Sequence, residues 1–175
     1  MAPYRTGIWL LIALVPLVAS CAAMSERKAA GNPDAMFLLS TARASNAEIA
    51  LSQLAAQRSQ DPAIQSFARH VTEDHQRMNV QLAQLAARQD LTLPTAPDQL
   101  HAKTAAHLSQ LSGQEFDKEY VTEMLADHAK MLTKFQNKAK LAKDSQIRQW
   151  AASQVPAFQD HYEAAQAMNA KLLGS

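Results

Sequence analysis

Downstream of residue 33 the apolar positions recur three and four residues apart, and they do so along runs far too long for strands. Four such stripes can be traced. The first holds Phe37, Thr41, Ala44, Glu48, Leu51 and Ala55, and the second Ile64, Ala68, Val71, His75, Met78, Leu82 and Leu85. The third runs Tyr120 or Val121, Met124, His128, Met131, Phe135 and Ala142. The fourth runs Ile147, Ala151, Gln154, Phe158, His161, Ala165, Met168 and Leu172. The punctuation between them agrees. Asn32-Pro33-Asp34 opens a helix to about Gln57, and Asp61-Pro62 opens the next, to about Gln89, with Asp at the N-cap and Pro at the first helical position. Leu91 to Pro97 breaks the pattern, and Asp98 to Leu111 reads as a shorter, more polar crossover helix. Ser112-Gly113-Gln114-Glu115 has the spacing of a capping box before a third long helix to about Lys143. Asp144 caps the fourth, to about Leu172, in which Pro156 should produce a kink or bulge.

The pattern repeats. Asp61, Ile64, Phe67 and Ala68 have the spacing of Asp144, Ile147, Trp150 and Ala151, and Phe37 precedes Glu48 by the same interval as Phe116 precedes Asp127. Two helical hairpins of one design, joined by a long helical crossover, predict an all-α, ferritin-like four-helix bundle. Composition supports the helical reading: strong helix formers dominate, and after residue 20 the only glycines are Gly31, Gly113 and Gly174, each at the edge of an element.

Residues 1–20 do not belong to that pattern. Arg5 precedes the uncharged apolar stretch from Gly7 to Ala19, too short for a spanning helix of roughly 20 residues and suited to a signal peptide. Val18-Ala19-Ser20-Cys21 resembles a bacterial lipobox. The resemblance implies cleavage before Cys21, the single cysteine of the chain, and lipid attachment there. The expected organisation is a lipoprotein signal peptide (1–20), a lipidated Cys21 with a tether (21–33) and a helical domain (34–173). The location implied is the cell envelope, on the periplasmic face, with the outer membrane favoured because Ala22 follows the cysteine. Loss of Arg5 would bring basic residues level with the 16 acidic ones. No basic stripe suggests a nucleic-acid partner, so the expected partner is the membrane, through the lipid on Cys21.

Each stripe carries one polar, metal-competent residue: Glu48, His75, His128 and His161. They lie 13 to 17 residues from the aspartate that caps their hairpin turn, which is ~20 to ~25 Å along a helix. All four therefore sit near mid-helix and are expected to converge. Three imidazoles and a carboxylate suit a divalent first-row metal such as Fe, Cu or Zn, with Met78 and Met131 tilting the choice slightly towards copper. Asp74, Asp127 and Asp160 each precede one of the histidines. They point away from their neighbour on the same helix and are expected to accept the outer N–H of a histidine on another helix. The alternative is a hydrogen-bonded polar layer that binds nothing and fixes register. His70, His101 and His107 carry no such argument and read as surface residues.

The separated motifs Phe67-Ala-x-x-Val-x-x-Asp74-His75, Leu91-Thr-Leu-Pro94, Phe116-Asp117-x-x-Tyr120, Asp127-His128 and Val155-Pro156-x-x-x-x-His161 resemble a bacterial envelope family with a ferritin-like domain of unknown function, often labelled predicted outer-membrane proteins. The resemblance spans about residues 34–172 and implies a ferritin-like fold and export, with no activity. Di-iron ferritins use Glu-x-x-His on two helices, whereas Thr72, Leu125 and Phe158 stand three residues before the histidines here. No nucleophile elbow, phosphate loop or paired-carboxylate cleft is visible either, which argues against an enzyme. Two readings remain: a metal-binding envelope protein, or a non-catalytic structural or interaction module of the envelope, part of a stress response. An exposed apolar patch of Leu100, Leu108 and Leu111 would favour the second.

Overall fold

The computed structural model describes the backbone of residues 16–174 and the side chains of residues 23–174. Residues 1–15 of the expected signal peptide and the Cys21 side chain lie outside the described residues. The chain is all-helical: among the described residues there are six helices, α1 (Pro16–Ala29), α2 (Pro33–Arg58), α3 (Pro62–Ala87), α4 (Gln99–Leu108), α5 (Gly113–Leu141) and α6 (Ser145–Leu173), and no strand.

The four long helices form where the stripes predict them. Asn32 caps α2 through Asp34 N and Ala35 N, Asp61 caps α3 through Ala63 N, and Asp144 caps α6 through Gln146 N and Ile147 N. Each such cap stabilises its helix by about 1 kcal/mol. Ser112 differs. Its side chain makes no capping hydrogen bond, because Gly113 carries the chain into α5 through a left-handed φ of 57° and turns the Ser112 hydroxyl off the first amides. Pro156 leaves α6 unbroken from Ser145 to Leu173.

Helices α2 and α3 pair as one hairpin and α5 and α6 as another, with α2 against α5 and α3 against α6. Asp34 at the start of α2 accepts from Lys143 N and Asp144 N at the α5–α6 turn (2.8 and 2.9 Å). Arg58 at the end of α2 donates to Ser109 O and Leu111 O, just before α5. These ties make α2 and α5 antiparallel and put the two hairpin turns at opposite ends. The 88–112 connection must then run the length of the molecule, and α4 rests on α2 and α5 as it does so.

The core divides in two. One apolar cluster centres on Phe37, Phe135, Trp150 and Phe158, the other on Phe67, Phe116, Tyr120 and Met124. Between them lies a layer of buried polar side chains.

The segment expected to be a tether behaves otherwise. It is helical through Ala29, and Ser25 and Ala29 are buried. Ser25 Oγ accepts from Thr92 N (2.7 Å), Glu26 pairs with Arg43, and Lys28 pairs with Asp90. The alanines and Met-Ser-Glu-Arg-Lys of this stretch are compatible with helix, and these contacts against α2 and the α3–α4 connection give the helix a surface to dock on.

Candidate metal centre

Glu48 of α2, His75 of α3, His128 of α5 and His161 of α6 meet in the polar layer, each at most 2% exposed. Glu48 Oε2 lies 3.2 Å from His75 Nε2 and 3.2 Å from His128 Nε2. His128 Nε2 lies 3.1 Å from His161 Nδ1. The rings of His75 and His161 stack at 6.0 Å, and His128 stands edge-on to both. One nitrogen from each of the three histidines falls within 4.8 Å of the others. Phe158 closes the layer on one side and Phe67 on the other, with ring centroids about 6 Å from the imidazoles.

The outer partners decide which imidazole nitrogens carry hydrogens. His128 Nδ1 sits 2.8 Å from Met124 O. A carbonyl only accepts, so Nδ1 donates and Nε2 of the neutral ring holds a lone pair. His161 Nε2 sits 2.9 Å from Asp74 Oδ2, so Nε2 donates to the carboxylate and Nδ1 holds the lone pair. His75 Nδ1 lies 3.2 Å from Ser45 Oγ; with that hydroxyl accepting, Nε2 holds the lone pair. His128 and His161 thus each turn an electron pair inward, and Glu48 faces them with His75 Nε2 beside it. His128 Nε2 and His161 Nδ1 then oppose one another lone pair to lone pair. Neither approach of Glu48 to a histidine has hydrogen-bond alignment, so Glu48 Oε1, Glu48 Oε2 and His75 Nε2 are buried with no hydrogen-bond partner.

Burial holds these groups in the forms a metal needs or would have to displace. Desolvation pushes His128 down to about 3, assisted by His161, and His161 down to about 4, assisted by His70. It pushes His75 well below the ordinary imidazole value, with His128 and His161 adding to the effect. All three are neutral at pH 7 and have free electron pairs. Burial also raises Glu48 well above the ordinary carboxyl range, reinforced by the negative charges of Asp127 and Glu123. Leaving buried polar atoms unpaired costs on the order of 1–3 kcal/mol each. A divalent cation at the convergence would give all the inward-facing atoms a partner at once. Tetrahedral ligands at 2.0–2.1 Å from zinc stand ~3.3 Å apart, close to the 3.1 and 3.2 Å separations found here.

The three aspartates have different fates. Asp74 meets His161 across the α3–α6 interface. It also pairs with Arg77 and lies 3.3 Å from His70. Asp127 is buried but turns to the other side, with Oδ1 2.8 Å from Lys130 Nζ and Oδ2 3.7 Å from Nε2 of His101. Asp160 is exposed and makes no hydrogen bond or ion pair with a histidine among the described residues, because its position one step from the α6 stripe faces solvent. Met78 and Met131 lie in the apolar cluster. Of the histidines read from the sequence as surface residues, His70 is exposed and His101 half-buried, and both stand beside the aspartates that flank the centre. Their partners lie on neighbouring turns or helices, and neither histidine falls on an apolar stripe. Ser45 and the Met124 carbonyl have no sequence signal at all.

The centre has two sides. On the α3–α6 side the pocket beside Asp74, His75 and His161 is about 10 Å³, no more than a single water needs. On the α2–α4–α5 side a cavity of about 280 Å³ reaches Glu48 and is lined by Ala44, Leu100, His101, Glu123, Asp127 and Lys130, among others.

Residues 19–168 match the family model described as Domain of unknown function (DUF4142). No curated protein and no solved structure matches the chain.

Proposed function

The chain belongs to the DUF4142 family, and from that premise we propose that it is an exported lipoprotein whose ferritin-like four-helix bundle binds one divalent transition metal (Fe, Cu or Zn) through Glu48, His75, His128 and His161. One observation carries the metal reading. Hydrogen bonds to Met124 O and to Asp74 turn the electron pairs of His128 and His161 inward, beside His75 Nε2 and a Glu48 side chain that have no hydrogen-bond partner. A polar layer built only for packing would satisfy itself internally, and this one does not. The ferritin-like assignment is supported by the opposed turns and by the connection that runs the length of the helices. It does not extend to di-iron chemistry, since no Glu-x-x-His is present.

Elemental analysis of the untagged full-length chain tests this, together with thermal melts with and without Zn²⁺, Cu²⁺ and Fe²⁺. The expected result is about one metal per chain and a melting temperature raised by that ion in wild type but not in His128→Ala, since a ligand that binds only the folded state stabilises it. A protein that is metal-free and indifferent to all three ions rules the reading out.

The second reading is a metal-free structural module of the envelope with Glu48 protonated, which the raised Glu48 value favours. A protonated Glu48 donates one hydrogen bond and still leaves His128 Nε2 facing His161 Nδ1. The leucine patch that would support a docking role is not there: Leu108 is buried, Leu111 is half-buried, and only Leu100 is exposed.

Membrane attachment through lipid on Cys21 rests on the lipobox-like Val18-Ala19-Ser20-Cys21. No helix among the described residues is long and apolar enough to cross a membrane. The expected location is the periplasmic face of the outer membrane. Cys21→Ser should release the protein from the membrane fraction.

A further inference from the structure

We propose that the cavity between α2, α4 and α5 is the port through which a divalent cation reaches the buried centre, with Asp127, Glu123 and His101 as the groups that collect it. The inference rests on the metal reading above and adds a route and three residues to it.

The cavity is the wider of the two approaches to the centre described above, about 280 Å³ against about 10 Å³. Only on this side is there room for an ion that still carries water. Its rim opens to solvent at Leu100, which is 69% exposed, and at Lys130. Its floor is Glu48, fully buried with both oxygens unpartnered. Part-way in stands Asp127, which is 5% exposed and whose Oδ2 has no hydrogen-bond partner. His101 Nε2 stands 3.7 Å from that oxygen. Glu123, one turn before Asp127 on α5, lines the same cavity. An ion passing from the rim to Glu48 therefore meets carboxylates and an imidazole with capacity to spare.

Two cationic groups also line the cavity. Lys130 is bound to Asp127 Oδ1 at 2.8 Å, which leaves Oδ2 facing the cavity. Lys134 donates to Ser40 Oγ at 2.9 Å and lies over the Phe37 ring at 5.4 Å. Burial, with Lys138 nearby, lowers it to about 8. Both ammonium groups are thus held on the wall. With both ammonium groups held there, Asp127 Oδ2 and Glu123 are left on the cavity side for a passing cation, and carboxylates lining a cleft raise the local concentration of cations.

A port differs from a ligand in kinetics. Removing a port group changes the rates of uptake and release together and the dissociation constant far less. The test follows Co²⁺ uptake by metal-free, full-length protein through the visible absorption of the bound ion, and release on addition of chelator. Asp127→Asn should slow uptake by about ten-fold, the low end of electrostatic focusing, and release with it, with a much smaller change in the dissociation constant. Leu100→Trp, at an exposed position on the rim, should slow both without altering charge. Gln154→Trp, on the α3–α6 side, should change neither.

If Asp127→Asn and Leu100→Trp leave the rates alone while wild type binds Co²⁺, the port is wrong and the metal centre stands. If Gln154→Trp is the variant that slows uptake, the ion comes from the opposite face and the proposal is overturned. Weaker equilibrium binding in Asp127→Asn at an unchanged uptake rate makes Asp127 a ligand and also overturns it. Absence of Co²⁺ binding in wild type removes the centre itself, and the port with it.

Discussion

The turn between α2 and α3 and the turn between α5 and α6 are built alike. Ser59 and Ala142 close the preceding helix in the same extended conformation, each buried. Asp61 and Asp144 then cap the following helix. Four residues on, Gln65 reaches back to Ser59 O and Arg148 to Ala142 O, both at 2.7 Å. Phe67 and Trp150 follow at equivalent positions, 7% and 8% exposed. Half-way along the helices the likeness ends. By the spacing of the repeat, His75 corresponds to Phe158, Met78 to His161 and Glu48 to Asp127. Glu48 faces the imidazoles and Asp127 faces the α4 cavity. The hairpins share a frame and divide the chemistry, so the centre has a closed side and an open side instead of two matching halves.

The largest expected effect probes the shared frame. Phe67→Ala and Trp150→Ala should each lower the unfolding free energy by about 3–5 kcal/mol in urea melts, the usual cost of truncating a buried aromatic. Similar losses are expected at both sites; a gap of several kcal/mol would mean that the frames only look alike. Next comes the contrast between the corresponding carboxylates. Glu48→Gln should weaken metal binding by more than about a hundred-fold, beyond the upper end of what supporting residues contribute. Asp127→Asn should change the dissociation constant far less, because it touches no ligand and reaches Glu48 only through its charge. Equal effects in a metal titration would erase the distinction between donor and port.

Asp74→Asn is a finer probe. It keeps the shape beside His161 but weakens the acceptor that holds its Nε2–H, so affinity should fall by about ten-fold, at the lower end of such effects, with little change in the melting temperature of the metal-free protein. The smallest expected effect returns to the turns. Asp61→Ala and Asp144→Ala should each cost about 1 kcal/mol in the same urea melts, and the double variant about the sum, since the turns lie at opposite ends and distant sites add.

The helices were legible because their signals are local. Periodic apolar positions and the Asp and Asn caps fall on the chain within a turn or so of where they act. They place α2, α3, α5 and α6 within about two residues of the observed ends. The same stripes single out Glu48, His75, His128 and His161, because a polar residue on an apolar stripe must be buried with the stripe. The errors have physical reasons as well. The stretch before Asn32 has no long amphipathic stripe, and its helix is held by Thr92, Arg43 and Asp90, residues far along the chain. The Ser112 box has the right letters, but the φ of Gly113 moves the hydroxyl off the amides. Asp74, Asp127 and Asp160 look equivalent in sequence, and nothing local separates them.

Sequence alone therefore determined the helices, their inward faces and the depth of the four polar residues, since backbone periodicity and capping are near-neighbour effects. Tertiary structure alone decided that Asp74 supports a histidine, that Asp127 lines a cavity with His101 and that Asp160 faces solvent. It also decided that the electron pairs of His128 and His161 point inward, because the direction of a lone pair is set by the partner of the opposite ring nitrogen, and those partners are a backbone carbonyl and an aspartate that only folding brings into place.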